Sequence, residues 1–354
     1  MARDLEMWRD GARRDVVYVQ RVDPHDLGRV DGVLGGLVLD GCSITEGYYT
    51  DARVQASIRH DGEWGEDLHW LRVVHECPAY GYRAELGTFV VDSISHDRSQ
   101  GGVTCDLTCQ SVLWALADDS VAYSYVIGAG ATTSKAFQQI MRTTGKEGQV
   151  LPGAAEHRYG AAVAYDAGDG FQKMLFDVAS TAGDRLSVDG HGRITLGPYV
   201  APSKRDPDWV LDARERRTIV LSDGGTETIS LGDAASRSMV KYSRGEGSDI
   251  AASWDVGQGS LASPSRRGWN RTEVHSVNDL SPQTHAAAET LARRYVGEDS
   301  EVAREVSVKC LYFPVHQGDV VLYTDAQGHE GKYLAKDVKA SLGDMTVELT
   351  LKGV

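Results

Sequence analysis

The sequence predicts a mainly β chain with α+β elements: two barrel-like β regions flanking a small α/β unit. Three observations carry this. Period-two alternation fills most of the first third, a block with helical periodicity follows, and alternation returns towards the C-terminus.

The first third holds six alternating stretches. They are residues 15–22 (DVVYVQRV), 35–47, 52–60, 70–78 (WLRVVHECP), 86–97 and 102–111 (GVTCDLTCQS), separated by DG, GG and similar turn pairs. In the last stretch Val103, Cys105, Leu107 and Cys109 share one face, so both cysteines read as small core residues. Six strands over so short a length suggest a closed or nearly closed barrel. Residues 111–119 then read as a short helix with Val112, Leu113 and Leu116 inward. Residues 131–145 read as a second helix, with Phe137, Ile140 and Met141 on one side. Residues 169–184 give the cleanest helical stripe: Phe171, Met174, Leu175, Val178 and Ala179. Asp169 is the expected N-cap and Gly183 the expected C′ residue. A hairpin is expected over 185–197, turning at Asp189-Gly190.

Residues 201–217 read as a polar connector, after which strands resume in TIVLSD, TETISLGD, SMVKYSRG and IAASWDVG. Residues 257–271 form a Gly/Ser-rich loop. Residues 281–297 read as a helix capped by Ser281, with Pro282 at N1 and Gly297 at its end. Four strands close the chain: REVSVKCLYF, GDVVLYTD, GKYLAKDVKAS and DMTVELTLKG. The expected domains are 1–116 (first barrel), 117–213 (small α/β domain) and 214–354 (second barrel, with a loop and helix insertion at about 245–300).

The 354 residues carry 37 basic and 51 acidic side chains, a net charge of −14. That balance argues against a general nucleic-acid binder, whose footprint is a basic excess. No apolar run approaches the ~18 residues of a membrane-spanning helix. The N-terminal MARDLEMWRDGARRD has no apolar stretch of the kind a secretory leader needs. The five cysteines, Cys42, Cys77, Cys105, Cys109 and Cys310, are odd in number and form no CxxC, so reduced, buried thiols are expected.

The search for chemistry returns no GxSxG, HExxH, Walker A, EF-hand or full GxGxxG pattern. GAGATT (128–133) reads as an ordinary start to a helix. HECPAYGYR (75–83) places His75 and Cys77 on one strand face, but a Cys–His nucleophile needs a third, orienting group. SVDGHGRIT (187–195) reads as a tight turn, with too few ligands for a metal. No catalytic, cofactor-binding or metal site is therefore expected. The loop at 257–271 differs. No acidic residue lies between Val256 and Thr272, yet Arg266, Arg267 and Arg271 do, with Trp269 beside them. Arg and Trp are favoured interface anchors, so Arg266, Arg267 and Trp269 are the candidate interface residues.

Four stretches, in this order, resemble the trimeric tail-hub family shared by long-tailed phages, tailocins and contractile injection systems. They are LGTFVVDSISHDRSQGGVTCDLTCQSVLWAL, DGFQKMLFDVASTAGDRLSVDGHGRITLGPY, SMVKYSRGEG through SRRGWNRTEVHSVNDLSPQTHAAAETLARRYV, and FPVHQGDVVLYTDAQGHEGKYLAKDVKASLGDMTVELTLKG. The resemblance implies two tube-like β-barrel domains flanking a small α/β domain. It also implies a homotrimer whose six quasi-equivalent barrels match a six-fold tail tube and accept a three-fold tip. Implied partners are a distal tail ring, a tape measure and a tip or spike protein, with DNA passing through the lumen without specific binding. The place implied is the virion tail tip, after synthesis in the host cytoplasm. The chain ends at Val354 directly after a strand, so receptor contact or wall digestion is expected of another protein. An acidic or neutral lumen is expected, since a basic wall would retain DNA through counterion release. The competing readings are a tail-associated hydrolase of cell wall or polysaccharide, which needs two carboxylates across a cleft, and a receptor- or carbohydrate-binding β protein.

Overall fold

Alternating side chains make many of the strands here because one face of the strand is buried. The computed structural model describes residues 3, 5–10, 13–50, 53–65, 69–99, 102–222, 227–232, 234–242, 250–277, 284–300 and 303–354. The first β region holds β1 (Val16–Asp23), β2 (Asp26–Val33), β3 (Ser43–Gly47), β4 (Val54–Asp61), β5 (Trp70–Cys77), β6 (Tyr82–Ser99) and β7 (Gly102–Ser111). The α/β unit holds α1 (Val112–Asp118), β8 (Tyr125–Ile127), α2 (Thr133–Thr144), β9 (Gly148–Val150), β10 (Val163–Tyr165), α3 (Phe171–Ala182), β11 (Asp184–Val188) and β12 (Ile194–Pro198). The remainder holds β13 (Trp209–Asp212), β14 (Val220–Ser222), β15 (Glu227–Ser230), β16 (Arg237–Tyr242), β17 (Ile250–Asp255), α4 (Pro264–Arg267), β18 (Thr272–Ser276), α5 (His285–Asp299), β19 (Ala303–Leu311), β20 (Val320–Thr324), β21 (Glu330–Ser341) and β22 (Thr346–Gly353).

The mainly β architecture is as expected, but the two β regions share one sheet. β21 pairs antiparallel with β3, from Asp337–Gly47 to Ser341–Ser43. The resulting 14-stranded sheet runs β14-β19-β22-β21-β3-β4-β7-β6-β5-β1-β2, with β13, β15 and β20 attached. Among the described residues this path does not close into a barrel, so β2 and β14 stand at its two ends. One apolar core runs under both regions, from Leu71, Phe89, Leu107 and Cys109 to Trp209, Phe313, Val347 and Leu351. Trp209 and Phe313 meet edge to face at 5.0 Å. Each such buried side chain contributes about 1.5–3 kcal/mol from burial alone.

The α/β unit has its own core, in which Phe137, Ile140 and Met141 of α2 meet Met174, Leu175 and Val178 of α3. Thr132 caps α2 by accepting the Lys135 N–H. Gly183 ends α3 in the left-handed region at φ 69°. The N-cap of α3 is Gly170 rather than Asp169, whose carboxylate instead takes Lys173 at 2.8 Å. The hairpin β11–β12 turns through five residues rather than at a two-residue Asp-Gly. Asp189 accepts from both the backbone and the guanidinium of Arg193, which holds the wider loop together.

A third unit packs α5 on one face of the sheet β17-β16-β18, around Val240, Tyr242, Ala252, Ala288 and Ala292. Here α5 continues through Gly297 to Asp299. Asp299 is anchored by Ser238 and His275 and accepts the Ala235 N–H, so the helix is held beyond its expected stop. Ser281 and Pro282 lie outside the described residues.

Five further differences lie in short or weakly patterned segments. β2 is mostly exposed, and β18 and α4 are short pieces within a polar stretch. Only Ser43–Gly47 of the expected 35–47 strand is regular. β13, inside the expected connector, pairs in parallel with β20 and brings Trp209 and Leu211 into the main core.

Candidate channel face and interface residues

The register of the long sheet brings together residues far apart in sequence. One cross-strand row reads Lys309, Glu348, Lys339, Thr45, Gln55, Gln110 across six consecutive strands. The next reads Ser341, Ser43, Ser57, Thr108, Ser93. Both rows lie on the face opposite the core, because their strand neighbours Val308, Val347, Val338, Ile44, Ala56 and Cys109 are buried. Several charges on this face are paired, whereas Lys339, next to Glu348 in the row, enters no ion pair among the described residues. Arg59 Nε and Nη2 donate to the two oxygens of Asp106 at 2.7 and 3.1 Å. Lys309 is 3.5 Å from Glu348, and Lys336 is 2.6 Å from Glu305. The bond from Arg59 holds the Asp106 carboxyl below its usual pKa. Apart from Lys339, the rows form a hydroxyl and amide surface whose charges are locally neutralised. A shallow hollow of about 400 Å³ lies over Thr45, Lys309, Asp337 and Lys339. No motif could have revealed this face, since each strand contributes only a few of its polar side chains.

A second hollow, of about 390 Å³, lies where the three parts of the chain meet, between β6, the β11–β12 loop and residues 316–319. His316 Nδ1 is 2.9 Å from Glu46, and the Gln317 N–H donates to the other Glu46 oxygen at 2.9 Å. The Glu46 charge raises the His316 pKa to about 9, although half of this side chain is exposed. Asp319 accepts from the Trp209 indole at 2.9 Å and the His316 N–H at 3.0 Å. Nearby, buried Arg72 donates to Thr88 Oγ1 and to the carbonyls of Leu27 and His191, and Thr88 donates to Gly190 O. Gly190 comes so near β6 that a Cβ there would sit 2.0 Å from Glu85 O. These contacts fix the α/β unit to the first β region.

The expected non-sites resolve similarly. His75 is fully buried on β5, with Nε2 2.8 Å from Asp15, and burial lowers its pKa. Trp8, Tyr82 and Tyr312 surround it. Cys77 is also buried, and burial raises its pKa, away from the thiolate a nucleophile needs. All five cysteines are free and buried. Among the described residues no three His, Cys, Asp or Glu side chains are grouped to hold a metal.

The sequence-predicted interface residues do come together. α4 ends at Gly268 in the left-handed region, and the chain folds back so that the Arg267 guanidinium lies 4.0 Å from the Trp269 ring centre. Arg267 Nη1 donates to Leu231 O at 2.9 Å and Arg266 Nη1 to Gly259 O at 3.0 Å. Trp269, Leu261 and Leu231 are all more than 40% exposed.

No family model matches the chain, and no curated protein matches it. Solved structures do. The tail protein from Neisseria meningitidis MC58 superposes with TM-score 0.68 at 15% identity, over 96% of each chain. The fold is that of a phage tail protein. The 43 kDa tail protein of prophage MuSo2 from Shewanella oneidensis gives TM-score 0.63 at 12% identity, over 96% of this chain and 98% of that one. Prophage tail protein gp18 from Listeria monocytogenes EGD-e gives 0.57 at 12%, over 95% and 94%.

Proposed function

We propose that the protein is a structural hub of a phage tail tip or baseplate. Three copies form a ring that adapts a six-fold tail tube to a three-fold tip, and the polar face of the long sheet lines the DNA channel. The observation that carries this reading is the unbroken polar face running across both β regions of one sheet. A wall that DNA must pass works best without unpaired cations, because each phosphate contact adds counterion-release affinity. Ser43, Ser57 and Thr108 offer only hydroxyls, and Arg59 and Lys309 each sit beside a carboxylate, while Lys339 stands without an ion-pair partner among the described residues. The open edges fit a ring as well. Val33 on β2 and Leu221 on β14 are more than half exposed, and a neighbouring subunit would cover them. A hydrolase draws less support from the junction hollow, where Glu46, Asp189 and Asp319 are all engaged by local donors.

The test is a reconstruction of the assembled tail together with a basic-wall variant. Three copies in a ring, with Ser43, Ser57 and Thr108 facing the axis, are expected. The triple change Ser43→Lys, Ser57→Lys, Thr108→Lys is expected to leave assembly intact and slow DNA release. Six copies at this position, or this face turned to the exterior, would sink the reading.

A further inference from the structure

We infer that the corner formed by Arg266, Arg267 and Trp269 of one copy docks on an acidic corner of the α/β unit of a second copy, formed by Asp118, Asp119 and Asp166. This rests on the ring reading above and deepens it by naming a contact between subunits. Three arginines of the chain show how it holds carboxylates side-on through Nε and Nη2. Arg59 takes Asp106 this way, Arg214 takes Asp212 at 3.0 and 2.8 Å, and Arg237 takes Asp255 at 2.6 and 3.1 Å. The same edge of Arg267 meets no acceptor: its Nε and Nη2 are buried without a hydrogen bond, while Nη1 is held on Leu231 O. Buried donors without an acceptor are unfavourable, so a carboxylate delivered there gains more than at an open surface arginine. Trp269 lies over this guanidinium and is 45% exposed. Turning the indole outward onto a partner uncovers the donors and buries the ring in one movement.

The complement lies on a different unit of the chain. Asp118 ends α1, Asp119 caps it, and Asp166 precedes α3. All three are exposed, and their carboxylates enter no ion pair among the described residues. The backbone links the two segments: the Phe171 N–H donates to Asp119 O at 2.9 Å, the Val121 N–H to Asp169 O at 3.1 Å, and the Asp169 N–H to Asp166 O at 3.0 Å. Tyr123 beside them is 84% exposed, which gives Trp269 and Arg266 an aromatic surface to meet. A patch on one unit that fits a different patch on the next copy makes a head-to-tail contact, and such a contact builds a ring when the rotation between copies is one third of a turn. The chain's excess of acid makes another copy the nearest source of a free carboxylate corner.

The experiment uses the full chain in assembling tails. The pair R266E/R267E and the pair D118K/D119K are each expected to cut the yield of complete tails by about tenfold or more, and the quadruple variant to restore most of it. Circular dichroism of the purified variants checks folding. Independently, a chain carrying both Arg267→Cys and Asp119→Cys is expected to form covalent multimers of itself in oxidised tails. If parental tails show the three-fold ring, but the quadruple variant is no better than the pairs and no self-linked multimer forms, the docking assignment is overturned and the hub reading stands. A bridge to a different tail protein overturns the second-copy assignment. Parental tails without a three-fold ring overturn the hub reading itself.

Discussion

The core under the long sheet and the core under α5 are built from different side chains. The first uses large groups, Trp209, Phe89, Phe313 and Tyr323, buried almost completely between strands that lie far apart in sequence. The second uses Val240, Tyr242 and three alanines, Ala252, Ala288 and Ala292, which lets α5 lie close on a small sheet but buries little apolar area. Since stabilisation scales with apolar area removed from water, the α5 unit has the smaller reserve. In the proposed ring, a rigid sheet would suit the wall and a weakly held unit a surface that adjusts to a partner.

The comparison breaks most sharply at Phe313. Phe313→Ala is expected to cost about 3–5 kcal/mol and to lower the whole unfolding transition, read by urea titration. Ala292→Leu forces methylenes under α5 and should cost about 1–3 kcal/mol, confined to that unit. Hydrogen exchange would then quicken in α5 and β16–β18 while the long sheet stays protected. Equal quickening everywhere would mean the two cores are one cooperative unit.

The two engaged histidines sharpen the contrast within the long sheet. Burial lowers the His75 pKa, so the unfolded chain binds its proton more readily and stability falls as pH drops below about 6.5. Glu46 raises the His316 pKa to about 9, so that stabilisation is complete below the unfolded value and is lost as pH rises towards 9. His75→Gln should flatten the acid limb of a stability–pH curve and His316→Gln the alkaline limb, and either change acting on the other limb would refute the assignment. The smallest effect expected is none: burial lifts the thiols of Cys109 and Cys310 to about 12, and a native-state thiol reagent should label no cysteine until the chain unfolds.

Most elements were legible in the sequence because alternation and helical stripes are local. The α3 stripe, the Gly183 stop and the closing strands stand where the residues place them. The joining of the two β regions was not legible, because Ile44 and Ala340 become neighbours only when distant strands meet. The Arg266, Arg267 and Trp269 corner was visible as a charge anomaly, since a missing acid can be read locally. The unpartnered edge of Arg267 was not, because it depends on where the Leu231 carbonyl falls.

The ladder between β3 and β21 has a mechanical consequence. It is short, running from Gly47 to Ser43 against Asp337 to Ser341, and it joins the halves of the long sheet. A pull along the strands loads all its hydrogen bonds together in shear, so they must fail at once. A pull across the strands opens them one after another, like a zip. The chain is therefore stiff to force along this strand direction and comparatively weak to force that parts its halves sideways. A tail that transmits thrust would have reason to set β3 and β21 near its line of force.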